Sequence, residues 1–178
     1  MGHTNQSPRH YVTGELEINA PASQVWDVLA DFSAVDTWVP IVLSSHIDPG
    51  VVRGVGVRRY CTVKGFGRID EIVTDWQEGR SLSYRVSSLG PFLFTQNTWI
   101  VDQTSQQSCK VTLELGYVVR LGVLGRLFNA LVLGRQLKKR APKAIEGLRI
   151  RVETGQLIRD RRSAANEPHL SPVSDKSG

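Results

Sequence analysis

The chain has 178 residues, of which 40% are hydrophobic and 22% charged, as is typical of a globular domain with a substantial core. Two cysteines are too few for a disulfide scaffold. The formal net charge of +5 is unevenly placed, because residues 120–162 hold 12 of the 22 basic residues and only 3 of the 17 acidic ones.

The N-terminal part predicts one strand followed by two short helices. Residues 1–9 are polar and predicted to be flexible. Strict alternation of apolar and polar residues over 11–18 predicts a half-buried strand. Pro21 favours a helix start, and the apolar residues of 22–30 fall on one helical face. A second short helix is predicted over 34–38.

Six short strands joined by turns follow, which predicts an antiparallel meander. The predicted strands span residues 42–47, 56–63, 68–76, 81–88, 94–102 and 109–119. Cys61 and Cys109 fall on separated strands, so we expect free thiols and a reducing compartment. The polar N-terminus lacks the apolar segment of a signal peptide, which also favours a cytoplasmic location, peripheral to a membrane at most.

A long amphipathic helix is predicted over residues 124–154. Its apolar residues recur at steps of three and four, and its other face is basic. Pro142 lacks an N–H and clashes with the preceding turn, so we expect a kink or a break there. Such a helix needs a large apolar surface, and the simplest architecture lays it across a curved antiparallel sheet. Residues 156–178 are predicted to form a flexible basic tail.

The order of elements and several motifs resemble one superfamily. The motifs are the run Ile-Asn-Ala-Pro-Ala-Ser-Gln-Val-Trp-Asp-Val-Leu-Ala-Asp-Phe over residues 18–32, Trp38 after the second helix, and Asn-Thr-Trp over residues 97–99. They resemble the START-like (helix-grip, SRPBCC) superfamily, in its polyketide cyclase/dehydrase and lipid-transport branch. The resemblance implies an α+β fold, in which a curved seven-stranded antiparallel sheet wraps around a long C-terminal helix. Residues 10–155 would form this ligand-binding domain.

The helix-grip fold implies a ligand cavity between sheet and helix, and alternation assigns one face of each strand to it. The residues that we predict to line it are Trp38, Arg59, Asp70, Tyr84, Asn97, Trp99, Leu115, Tyr117, Ala141 and Ile145. The aromatic residues could equally be plain core, and Arg59 and Asp70 would face solvent if the register shifted by one residue. If both face inward, they would need each other and a polar ligand group as partners. Plant hormone-receptor members hold a ligand carboxylate with a lysine, but the matching residue here is Val39.

Two functions remain open. The first is non-enzymatic binding or transport of a small hydrophobic ligand, such as a lipid, an isoprenoid or a polyketide-like aromatic. The alternative is a polyketide aromatase/cyclase, for which Arg59, Asp70 and Tyr84 are the interior polar candidates for proton transfer. No residue is assigned as catalytic. No cofactor is predicted, and the four scattered histidines and two cysteines lack metal-ligand spacing, so no metal site is predicted.

The basic surface has three interpretations. Its residues include Arg126, Arg135, Lys138, Lys139 and Lys143. They could form a solvated helix face, or they could contact anionic membranes transiently beside the cavity. Nucleic acid is not predicted as a partner, because no exposed stacking aromatics are interleaved with the charges.

Overall fold

The chain adopts an α+β fold in which one antiparallel sheet curves around a C-terminal helix. The computed structural model describes residues 8, 10–87, 92–119 and 134–158, with the backbone alone at 92–94, 119, 134, 136 and 140. The predicted termini, 1–9 and 156–178, lie largely outside the described residues, so their flexibility stays a prediction.

The sheet has seven strands in the order β1-β7-β6-β5-β4-β3-β2, and every neighbouring pair is antiparallel. The strands are β1 (His10–Ile18), β2 (Val42–Ile47), β3 (Arg58–Val63), β4 (Gly67–Gln77), β5 (Ser81–Val86), β6 (Phe92–Ser105) and β7 (Ser108–Val119). All seven predicted strands are present. Strands β2 to β7 form the predicted meander, and β1 adds to β7 at the opposite edge.

Two short helices connect the two edge strands β1 and β2. Helix α1 (Ala22–Ala30) has the predicted bounds and buries Val25, Trp26 and Leu29 on one face. The second is a 3-10 helix, Phe32–Thr37, which begins two residues before the predicted helix. Its buried residues belong to the same core as those of α1, so the pair packs as a cover at one side of the sheet.

One carboxylate joins α1 to the turn between β4 and β5. Glu78 accepts hydrogen bonds from Trp26 Nε1 at 2.8 Å and from Trp76 Nε1 at 2.9 Å, and Arg53 also donates to it. The bond from Arg53, followed by those from the two indoles, lowers the pKa of Glu78 to about 2. The ionised carboxylate therefore links three segments that are distant in sequence.

Helix α2 (Gly134–Thr154) lies over β1 and β7. The first part of the predicted helix falls in residues 120–133, which lie outside the described residues. We expected a kink or a break at Pro142; the helix continues through this residue, so the break does not occur. Only one backbone hydrogen bond is lost there, whereas Ala141, Ile145 and Leu148 are at most 1% exposed. Within the described part of the chain, no helix is long and apolar enough to cross a membrane.

A glycine allows α2 to approach the loop after the 3-10 helix. A Cβ placed on Gly147 would lie 1.9 Å from the carbonyl oxygen of Trp38, far inside van der Waals contact. The absent side chain therefore lets the helix rest directly on this backbone. Because Trp38 also packs edge-to-face against Trp99 on the sheet, at 5.5 Å between ring centroids, the contact connects α2 to the sheet interior.

The two cysteines are free, as predicted, and both are buried. Cys61 lies on β3 and Cys109 on β7, and three strands separate them in the sheet. A disulfide between them would require the sheet to be taken apart.

Candidate functional site

A cavity of about 190 Å³ lies between the concave face of the sheet and α2. Strands β3 to β7 supply its walls, the segment after the 3-10 helix supplies one end, and α2 covers it. Most of its wall is apolar. The lining residues are Val35, Val39, Ile41, Val42, Arg59, Cys61, Val63, Phe66, Ile69, Glu71, Tyr84, Val86, Thr95, Asn97, Trp99, Leu113, Leu115, Gly116, Tyr117, Leu137, Ala141 and Ala144.

One wall of the cavity carries a buried ion pair between Arg59 and Glu71. Arg59 Nε lies 2.6 Å from Glu71 Oε2, and the two side chains are 4% and 6% exposed. A second guanidinium N–H donates to the carbonyl oxygen of Phe32 at 2.7 Å. Burial is the largest single influence and by itself would lower the pKa of Arg59, but the Glu71 charge, contributions from Tyr84 and Cys61 and the hydrogen bond to Glu71 together outweigh it and raise this pKa. The cavity wall therefore holds this arginine in an ion pair, in which the two partners compensate each other's charge.

Aromatic rings enclose the arginine. Its guanidinium carbon lies 3.7 Å from the ring centroid of Phe32 and 5.1 Å from that of Tyr84, which are cation–π distances. The two rings also meet edge-to-face at 5.3 Å. The two rings and Glu71 thus all contact the guanidinium, so its position on the wall is fixed in the absence of ligand.

The Tyr84 hydroxyl is a neutral polar group on the same wall. Burial, followed by the nearby Glu71 charge, raises the pKa of Tyr84, so the phenol keeps its proton at neutral pH. Its oxygen accepts from Trp99 Nε1 at 3.4 Å, and Asn97 is a second side-chain partner. Arg59, Glu71, Tyr84 and Asn97 thus form one polar patch in a mostly apolar cavity.

Cys61 also lines this wall, beside the carboxylate. Its sulfur lies 3.6 Å from Glu71 Oε2 and 3.7 Å from the Ser45 hydroxyl. Burial raises the pKa of the Cys61 thiol to about 12, so it is an uncharged thiol at neutral pH. This environment does not favour a thiolate nucleophile.

Seven of the ten predicted site residues line the cavity, and they come from four strands and α2. They are Arg59, Tyr84, Asn97, Trp99, Leu115, Tyr117 and Ala141. Trp38 and Ile145 are buried beside it: Trp38 packs on Trp99, and Ile145 lies against Gly14 of β1. The predicted inward faces of β5, β6 and β7 therefore agree with the structure.

Asp70 is the exception, and its predicted place in the cavity is wrong. It is exposed on the outer face of β4, where its backbone N–H bonds to the Ser87 hydroxyl at 3.0 Å. The acid that reaches the cavity is its neighbour, Glu71. The predicted pairing of Arg59 with an acid of β4 thus occurs, but with the adjacent residue.

A β-bulge makes the inward face of β4 ambiguous from sequence. The pairing of β4 with β5 shifts register between Val73 and Asp75, so side chains alternate in opposite phase on its two sides. Glu71 precedes the bulge and faces the cavity. Trp76 follows the bulge, and the strand register aligns it with Trp99, so these two residues lie on the same face of the sheet. Uninterrupted alternation through the strand cannot satisfy both ends. The sequence did contain a chemical signal: β4 has acids at two consecutive positions, Asp70 and Glu71, so either one could have paired with the inward Arg59.

Comparison with known families explains this architecture. The sequence pattern of the family described as "Polyketide cyclase / dehydrase and lipid transport" matches residues 9–153. The chain belongs to this family. The match covers every element from β1 to the last turn of α2, so the cavity is built entirely from the family's domain. No curated protein sequence matches the chain.

Several solved structures have the same fold as this family member. A START superfamily protein from Mycobacterium smegmatis aligns with a TM-score of 0.64 and 19% identity, covering 81% of this chain and 97% of that one. The Zhui aromatase/cyclase from Streptomyces sp. R1128 aligns with a TM-score of 0.63 and 17% identity, covering 82% and 97%. Truncated norcoclaurine synthase from Thalictrum flavum aligns with a TM-score of 0.63 and 15% identity, covering 85% and 98%. At these identities the similarity establishes the helix-grip fold.

Proposed function

We propose that this protein binds, and carries, a small hydrophobic molecule in the cavity between sheet and α2. The ligand class is a lipid, an isoprenoid or a polyketide-like aromatic. The observation that carries the proposal is the cavity of about 190 Å³, because a well-packed core leaves few voids larger than a water molecule. A cavity with apolar walls and a few convergent polar groups is typical of small-molecule sites.

The walls suggest how such a ligand would be held. Apolar side chains such as Val39 and Leu115 would exclude water from its body, and Tyr84, Asn97 and Arg59 would orient one polar group. Because Arg59 is fixed by Glu71 and by aromatic rings, this patch requires little rearrangement on binding. Binding would thus rest on shape and burial, with orientation set by one or two hydrogen bonds.

A matched pair of variants on α2 tests this proposal. Ala144 lines the cavity, whereas Lys143 is its exposed neighbour. Native mass spectrometry of the purified wild type should show a bound hydrophobic compound, which solvent extraction then identifies. Ala144→Trp should fill the cavity and abolish the bound mass, and Lys143→Trp should retain it. Equal ligand content in all three proteins would place the ligand elsewhere, and its absence from all of them would count against a resident cargo.

A second candidate function is that of a polyketide aromatase/cyclase. The observation that favours it is the cluster of the Arg59–Glu71 ion pair and the Tyr84 hydroxyl on the cavity wall, since cyclisation with loss of water requires proton transfer at a bound intermediate. Arg59 and Tyr84 would stabilise a carbonyl oxygen as negative charge develops on it. Glu71 replaces Asp70 as the candidate for moving the proton.

Turnover of a poly-β-keto mimic tests this second function. Activity that is lost in Glu71→Gln and in Tyr84→Phe, yet kept in the exposed control Asp70→Asn, would support catalysis in the cavity. Absence of turnover by the wild type would leave binding as the function.

We further propose that α2 contacts anionic membranes transiently while ligand is exchanged. Arg135, Lys139 and Lys143 follow one another at steps of four residues on the helix, and all three are exposed, as is Lys138. Leu137, Ala141 and Ala144 of the same helix line the cavity, so this basic face belongs to the element that covers the ligand. Arg126 lies outside the described residues.

A further inference from the structure

The charge balance of the cavity wall indicates which hydrophobic ligands it takes. We infer that the cavity selects neutral ligands bearing a hydrogen-bond acceptor, such as a ketone or ester carbonyl, and discriminates against carboxylates, with Glu71 as the residue that sets this preference. This inference rests on the proposed function, because it concerns ligands of the same cavity.

The first step is electrostatic. Among the described residues that line the cavity, Arg59 and Glu71 are the only ones with charged side chains, and they pair with each other at 2.6 Å. The raised pKa of the Cys61 thiol keeps that group neutral. A carboxylate entering the cavity would lose its hydration without gaining an unpaired cation, and it would lie close to the Glu71 charge. A neutral ligand avoids both costs.

The second step concerns the hydrogen-bond donors. Two of the five guanidinium N–H groups of Arg59 are used by Glu71 and by the Phe32 carbonyl. The Tyr84 oxygen accepts from Trp99, and its other side-chain partner is the neutral amide of Asn97, which also lines the cavity. Because the raised pKa of Tyr84 keeps its hydroxyl hydrogen in place, the patch can donate but carries no net charge. An oxygen with lone pairs and no charge complements it best.

The third step is that most of the described lining is apolar. Val39 and Leu137, for example, line the cavity at the segment after the 3-10 helix and on α2. These residues favour an uncharged ligand body, and among the described lining residues the single cation, Arg59, is already paired with Glu71.

Three probes of nearly the same shape test the inference. They are 2-acetonaphthone, with a neutral carbonyl, 2-ethylnaphthalene, with no acceptor, and 2-naphthoate, with a carboxylate. Isothermal titration calorimetry on the full chain at neutral pH should rank the ketone first and the carboxylate last. The ketone should bind about fivefold to tenfold more tightly than the hydrocarbon, which corresponds to one net hydrogen bond.

Three variants locate the determinant. Tyr84→Phe keeps the ring contact with Phe32 and should bring the ketone down to the affinity of the hydrocarbon. Glu71→Gln leaves Arg59 without its counter-charge and should raise the affinity for 2-naphthoate at least about tenfold, through a charge-assisted bond. Asp70→Asn makes the same chemical change one residue away on the outer face and should leave all three affinities unchanged.

The outcomes separate the inference from the function beneath it. If the wild type binds the carboxylate as tightly as the ketone, or the ketone no better than the hydrocarbon, the inference is wrong while binding in the cavity stands. If none of the probes binds, both fail. Should Glu71→Gln not fold, the wild-type ranking and Tyr84→Phe still decide the matter.

Discussion

The contact between Gly147 of α2 and the Trp38 carbonyl can be tested with one methyl group. Gly147→Ala places a Cβ at 1.9 Å from the Trp38 carbonyl oxygen, where ordinary van der Waals contact begins at 3.4 Å. The helix or the loop must therefore move by about 1.5 Å to accept it. The obstructing atom is backbone, and Trp38 is itself packed against Trp99, so a rotamer change cannot relieve the clash.

Two opposing effects determine the size of the change. Alanine is favoured over glycine inside a helix by about 1 kcal/mol, which would stabilise the variant. Overpacking in a well-packed region costs about 1–3 kcal/mol, and a clash with backbone falls at the upper end of that range. The net prediction for Gly147→Ala is a loss of about 2 kcal/mol in the free energy of unfolding. For a chain of this length, that lowers the Tm by roughly 4–8 °C.

Thermal and urea unfolding, followed by circular dichroism, measure this loss. Lys143→Ala is the control, because it places alanine on the exposed face of the same helix and should change the free energy of unfolding by less than about 0.5 kcal/mol. If Gly147→Ala is as stable as the wild type or more stable, only the higher helix propensity of alanine affects stability at this position. In that case α2 does not rest on the Trp38 carbonyl as described.

Three further predictions concern titration, reactivity and surface charge. The pKa of Glu78 is lowered to about 2, so the stability that ionised Glu78 contributes is fully present above its ordinary pKa of about 4.5 and is lost as the pH falls from there towards 2. The Tm measured across that pH range should therefore fall less steeply in Glu78→Gln than in the wild type. Cys61, with its pKa raised to about 12, and buried Cys109 should react with a thiol reagent at pH 8 far more slowly in the folded protein than in denaturant, and rapid reaction of the native protein would contradict this burial. Binding to anionic liposomes should be salt-sensitive and should fall in Lys138→Glu/Lys139→Glu, and equal recovery on neutral and anionic vesicles would reject the membrane contact.

Most of the fold follows from local patterns in the sequence. Alternation located β1, turn residues between short strands located the other six strands, and Pro21 with the apolar face of residues 22–30 located α1 to the residue. These signals are local, because each strand or helix must turn its own apolar face towards the core. The helix through Pro142 did not follow from local rules, since tertiary burial of Ala141 and Ile145 outweighs one missing hydrogen bond.

The polar part of the site was only partly predictable, because it depends on register. Arg59 was placed inward correctly by alternation on β3, a strand that pairs with β4 without interruption. Its partner was misplaced by one residue, because either parity of β4 was possible from sequence and the bulge near Val73 leaves this strand without a single phase. The role of Phe32, whose carbonyl and ring both hold the arginine, comes from a contact across 27 positions in the chain that no local pattern encodes.

The measurement that most directly tests the central claim is a crystal structure of the protein with the hydrophobic compound that co-purifies with it, or with 2-acetonaphthone. We predict electron density enclosed between α2 and the concave face of the sheet, with a ligand oxygen within hydrogen-bond distance of the Tyr84 hydroxyl or the Arg59 guanidinium. A ligand on the outer surface of the sheet, or a cavity closed by side chains with the compound absent, would contradict the account.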